Sequence, residues 1–334
     1  MKTSSKMMFL LMLIISTVMV LSSSSWLNMW IGLEINLMSF IPLISSPKNI
    51  YLSQSAMSYF LIQSMSSMLF ITFILMNKYI FLFSDKNITK TMVMLTMMMK
   101  MGMPPFHMWF PEIMNKMTWP TCLLLMTWQK IAPLFILSEV IYLDKLTTTV
   151  ICLSAIMGAI GGINQTSTRK IMAYSSMNHM SWMVSCAAMF KKSWIIYMVM
   201  YTILMMIVSL IMHNYNIMFI NQMNITSFYS NMEKMIIMSM MMSIGGLPPF
   251  LGFMPKWIAI QYMIYSKEFI MMMFMIASSL ITLTYYLRTS LLMNLIMSHS
   301  QKWMNLSMTS SYISFITITS NMLLPISILL MNFY

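Results

Sequence analysis

Apolar runs long enough to cross about 30 Å of hydrocarbon recur from one end of this chain to the other, which leaves few ways for it to fold. They fall near residues 7–21, 27–44, 57–76, 91–106, 119–139, 147–165, 169–190, 193–213, 233–251, 269–293 and 312–333, and 257–265 extends the ninth. Lipid offers no hydrogen bonds, so each run must satisfy its own backbone groups, and a helix does this. Only 8% of the 334 residues are charged, where a soluble domain carries about 25%. Connections are short, and no polar stretch is long enough to form a separate extramembrane domain. The sequence therefore predicts an all-α polytopic membrane protein of about eleven spans. The run at 7–21 has the length of a signal sequence, but the runs that follow make it the first span.

Other classes are disfavoured by what the chain lacks. The net charge of +12 comes from basic residues that mostly lie between apolar runs, where snorkelling toward headgroups accounts for them. No basic cluster is interleaved with aromatics, so the chain is not expected to bind nucleic acid. Cys122, Cys152 and Cys186 lie in three different runs without metal spacing, and read as buried, inert thiols. His107, His179, His213 and His299 do not supply two histidine pairs on facing helices, which argues against a b-type haem subunit. There is no glycine-rich nucleotide loop and no HExxH, so neither a cofactor nor a metal is expected on this chain. The 53 methionines fill apolar space as leucine or isoleucine would. Basic residues are nearly even on alternate sides of the spans, so the positive-inside rule does not fix orientation.

Two patterns carry more information. Ser154, Gly158 and Gly162 form a small-xxx-small stripe that allows a neighbouring helix to approach closely. More telling, "GMPPFHMWFPE" at 102–112 is echoed by "GLPPFLGFMPK" at 246–256, an offset of 144 residues (Gly102 to Gly246). A proline pair removes backbone donors, so both segments are expected to be discontinuous helices. The copies fall in the fourth and ninth windows; five spans apart means opposite orientation, an inverted repeat. Paired broken helices in inverted repeats point to an ion site.

Ionisable groups inside the windows are expensive in lipid and mark function by default. Glu34 lies near the middle of the second window, Lys100 two residues before the first break, Lys130 at the centre of the fifth, and Lys256 just after the second break. For Lys100 and Lys256, snorkelling from the break to water is the competing reading. Glu34 and Lys130 are too central for that. His179 has Ser175, Ser176, Trp182 and Cys186 at helical spacings, and both a hydrogen-bonded core histidine and a proton carrier fit that position. Burial disfavours an ammonium while a nearby carboxylate restores it, so lysines beside Glu34 suit proton transfer.

In combination, "WIGLEINLMSFIPL", "KMGMPPFHMWFPEI", "MTWQKIAPL", "GGINQTSTRKIMAYSSMNHMSWM" and "GGLPPFLGFMPKW" resemble the antiporter-like subunits of respiratory complex I, and among them the NADH dehydrogenase subunit 2 family in its insect-like form. The resemblance runs from about Trp26 to Trp257. It implies a single membrane domain of inverted five-helix repeats, the first about 7–139 and the second about 147–293, with a C-terminal helix about 312–333. It also implies a multi-pass subunit of the proton-translocating NADH:ubiquinone reductase in the mitochondrial inner membrane. Such a chain would hold no redox site, since NADH, FMN, iron–sulfur clusters and ubiquinone are used elsewhere in the complex. Its implied partners are other membrane-arm subunits (3, 4, 4L and accessory subunits) and phospholipids, cardiolipin among them. Carried over by position, Glu34 and Lys100 look like the family's Glu–Lys pair, Lys130 like the central relay lysine and Lys256 like the terminal lysine. His179 matches the family's histidine. Pro104 and Ser181 depart from the pattern, where many relatives have a small residue and a glycine; a tighter first break and altered packing beside His179 are the expected consequences. A free-standing cation/proton antiporter and a purely structural subunit are the two other readings.

Overall fold

The computed structural model describes residues 3–45, 49–79, 86–225 and 231–294. Among the described residues the regular elements are helices, with one isolated antiparallel bridge between Ser167 and Phe219. Two units are distinguished, Met1–Val150 and Ile151–Tyr334. The first holds α1 (Thr3–Ser22), α2 (Trp26–Ile44), α3 (Ile50–Tyr79), α4 (Lys86–Met101), α5 (Trp109–Lys116), α6 (Trp119–Met126) and α7 (Trp128–Val140). The boundary falls inside α8 (Lys145–Ile163), after which come α9 (Thr168–Met189), α10 (Ser193–Asn214), α11 (Gln222–Ile225), α12 (Asn231–Gly245), α13 (Phe253–Tyr265) and α14 (Phe269–Asn294).

Among the described residues seven helical segments are long and apolar enough to cross a membrane, including Ile50–Met76, Ser193–Asn214 and Phe269–Leu291. Large apolar side chains stand exposed along them, such as Leu11, Ile15, Met57, Leu61, Val199 and Leu210. Lipid is the solvent that suits such faces. Of the other expected windows, 91–106 and 233–251 are interrupted, the latter where the 15-residue α12 ends at Gly245, and 312–333 lies outside the described residues. The window at 169–190 is α9, a helix buried over nearly its whole length from Thr168 to Ala187. It packs against α10, α13 and α14 within its unit. A helix shielded from lipid on every side need not be apolar, and its serines are satisfied locally: Ser175, Ser176 and Ser185 each donate to a carbonyl three residues back. Ser181 does the same to Asn178, at 2.6 Å. The small-residue stripe on α8 behaves as expected, because a Cβ on Gly158 would lie 2.8 Å from the Asn178 amide nitrogen of α9.

Both predicted breaks are present, and they are built alike. α4 stops at Met101 and α5 starts at Trp109; α12 stops at Gly245 and α13 starts at Phe253. Gly102 and Gly246 are left-handed, at φ +70° and +79°, the conformation glycine adopts at a helix end without steric cost. Met103 donates to the Met98 carbonyl and Gly102 to that of Met99; 144 residues later Leu247 donates to Met242 and Gly246 to Ser243. Each pair is a Schellman motif. The turn that follows also repeats, Phe106 to Met103 matching Phe250 to Leu247. Pro104 and its counterpart Pro248 stand at the same place in the two turns.

A third interruption was not expected. α6 and α7 meet at Thr127, whose φ of −114° and ψ of −74° depart from helical values. Pro133 inside α7 has no N–H to give the Gln129 carbonyl one turn back. The turn that carries Lys130 is therefore bounded by a distortion on one side and a missing bond on the other.

Candidate functional site

The first unit gathers its polar side chains around one cavity of about 20 Å³, room for roughly one water molecule. Lys100, one residue before the end of α4, and Lys130, in the first turn of α7, both line it. They are 7% and 2% exposed, so neither reaches headgroups, and the snorkelling alternative for Lys100 is set aside. α4 packs on α7, which brings the two lysines to one place. Phe110, at the start of α5, stands beneath Lys130 with its ring centroid 5.0 Å from Nζ, a cation–π geometry.

Uncharged groups complete the wall. The Tyr59 hydroxyl donates to Gln129 Oε1 at 3.3 Å, and Gln129 Nε2 donates to Asn36 Oδ1 at 2.9 Å. Gln63 Nε2 donates to the Lys100 carbonyl at 3.0 Å, one of those a helix end leaves without a partner. Glu34 is half-buried on α2 and acts electrostatically on Lys100, but it does not line the cavity; Leu33, Asn36 and Leu37 are the α2 residues that do. Thus Lys100 and Lys130 are brought to one cavity, and Glu34 acts on Lys100 from outside it. Asn36, Tyr59, Gln63 and Gln129 were missed by sequence reasoning. Their signal was an amide or phenol inside an apolar run, which is costly unless paired.

The second unit holds Lys256 and His179. Lys256, on α13 just past the break and 6% exposed, donates from Nζ to the Gly245 carbonyl at 2.7 Å. It thereby bridges the break and places a cation at the negative end of α12. His179 on α9 shares a hydrogen bond of 2.9 Å between Nδ1 and the Tyr197 hydroxyl, and its ring lies 5.1 Å from that of Tyr201. These three side chains border a cavity of about 10 Å³ closed by Ile244, Gly252 and Pro255. Lys256 and His179 therefore face the same break, one by a hydrogen bond and one across a small void. Among the described residues no three His, Cys, Asp or Glu side chains gather as a metal site requires. Cys122 and Cys186 are buried; Cys152, expected to be buried as well, is only half so.

Fold and site together define a polytopic helical membrane protein with two glycine-terminated helix breaks, each flanked by a buried lysine. The sequence matches the NADH:quinone oxidoreductase/Mrp antiporter transmembrane family over residues 23–282. It is 42% identical over 303 residues to NADH-ubiquinone oxidoreductase chain 2 of Locusta migratoria, covering 90% of this chain and 89% of that one. To the protein of the same name from Anopheles gambiae it is 39% identical, covering 91% and 90%. A chain of respiratory complex I from Thermus thermophilus superimposes with a TM-score of 0.82 at 16% identity, over 95% of this chain and 76% of that one. A chain of the Mrp complex from Dietzia sp. DQ12-45-1b gives 0.76 at 14% identity, over 84% and 59%. The chain belongs to the NADH:quinone oxidoreductase/Mrp antiporter family, in its NADH-ubiquinone oxidoreductase chain 2 group.

Proposed function

We propose that this chain is a membrane-arm subunit of NADH:ubiquinone oxidoreductase in the mitochondrial inner membrane and takes part in proton translocation. The observation that carries the reading is the pair of buried amines, Lys100 and Lys130, lining one polar cavity. Buried lysines are the residue type whose proton a moving charge can load and release, and Glu34 is placed to influence Lys100. Lys256, with His179 beside the same break, is assigned a relay role within the second unit. In this reading the two breaks belong to inverted five-helix repeats. NADH, FMN, iron–sulfur clusters and ubiquinone act in other subunits, and the neighbours of this chain are membrane-arm subunits and phospholipid. Moving one proton against 100 mV takes about 2.3 kcal/mol, and the wider complex supplies it.

The kinship with Mrp antiporters keeps a second reading in view, a chain that exchanges cations for protons unaided. Reconstitution separates them. In liposomes the assembled complex should acidify its target side on NADH addition, whereas the purified chain should show no Na⁺- or K⁺-driven proton flux. Robust exchange by the chain alone would favour the antiporter. For Lys256 a structural use is also visible, since its bond to Gly245 caps a helix.

A further inference from the structure

The hydrogen bonds beside the two lysines all run one way. Tyr59 donates to Gln129, and Gln129 donates to Asn36, so the phenol has spent its hydrogen and offers lone pairs. An amide carries both a donor and an acceptor, which gives this chain a second arrangement with the same number of bonds. If both amides turn over, Asn36 Nδ2 donates to Gln129 Oε1, Gln129 Nε2 donates to Tyr59, and the phenol hydrogen is released. The first polarity accepts from an ammonium; the second donates to a neutral amine. Lys100, Lys130, Tyr59, Gln129 and Asn36 line the same cavity. The Tyr59 ring is held edge-on by Phe40 and Trp109, at 5.1 and 6.3 Å between centroids, so its hydroxyl hydrogen is the part that moves.

We propose that Gln129 is a positioning residue whose amide reverses the polarity of the Tyr59–Gln129–Asn36 chain in step with the charge of the lysines that share its cavity. The inference rests on the proton-transfer reading given above. No proton enters the amides: bonds rotate, hydrogen bonds exchange, and the proton passes between the lysines. Two arrangements with equal bond counts make the chain a bistable element, and breaking it midway would leave a buried dipole unpaired.

The test uses the assembled complex in proteoliposomes and reads NADH-driven proton output and its H₂O/D₂O rate ratio. Gln129→Glu keeps the shape but, ionised, has no donor for Asn36 or Tyr59; Tyr59→Phe keeps the ring and removes the hydroxyl. Each should lower proton output about tenfold and raise the isotope ratio. The double variant should be no worse than either single one, because one chain is broken in both cases. Losses that multiply, single variants with native output, or a tenfold loss at an unchanged isotope ratio would overturn the proposal. Should Gln129→Glu fail to assemble, Asn36→Asp combined with Tyr59→Phe closes an equivalent cycle. Native pumping by Lys130→Met would sink the relay itself; an inactive Lys130→Met beside native Gln129 and Tyr59 variants would sink the switch alone.

Discussion

Replacing Lys130 by methionine in the assembled complex should lower NADH oxidation and proton output together, by about a hundredfold or more if the amine handles protons as a general acid and base does. The substitution is chosen to leave folding intact. Lys130 is 2% exposed, and methionine fills nearly the same length with an apolar, adaptable chain. Taking a charge out of an apolar place relieves desolvation; the loss is the cation–π contact with Phe110, worth about 0.5–2 kcal/mol. Lys130→Arg sharpens the result, because arginine keeps the charge but does not release its proton. Both variants should assemble, as read on native gels, and neither should pump. Coupled pumping near the native rate with either would show that the buried amine is scaffold.

The second large effect concerns the fold around the second break. A Cβ placed on Gly252 would sit on the carbonyl oxygen of Ser243 and 3.3 Å from Leu204 Cδ1. That oxygen belongs to the α12 backbone and cannot swing aside as a side-chain tip would. Gly252→Ala must therefore push the break away from α12, open the cavity beside His179 and draw Lys256 from the Gly245 carbonyl. Overpacking against movable neighbours costs about 1–3 kcal/mol, and this backbone clash should exceed it. The expected outcome is little or no chain in the assembled complex. Gly245→Ala is the control: its Cβ would be 3.6 Å from the nearest atom, on Tyr286, and it should accumulate normally. Equal levels of Gly252→Ala and native chain would mean that the break does not approach α12 this closely.

The parts of the architecture that could be read in advance follow local rules. Gly followed by a proline pair ends a helix through sterics and a missing donor, whatever surrounds it, and both breaks lie where "GMPPF" and "GLPPF" place them. Lys130 was equally conspicuous, since a charge at the centre of an apolar run needs burial or water. What escaped was set by distant partners. Gln129 meets Tyr59 across 70 residues of sequence and Asn36 across 93, and no local pattern pairs a particular amide with a particular phenol. The distortion at Thr127 has no glycine or adjacent proline to announce it. For His179 the residues allowed either a core or a relay role; the Tyr197 bond and the bordering void suit both. For Lys256 the residues left both burial and snorkelling open, and its acceptor depends on how the break folds back on α12.

Whether protons can move between the two amines turns on a space of about 20 Å³. A density map of the whole respiratory assembly, fine enough to locate individual solvent molecules, decides it. An ordered water within hydrogen-bonding distance of both Lys100 Nζ and Lys130 Nζ is the predicted result. A dry gap there, or amines turned outward to lipid, would contradict the account.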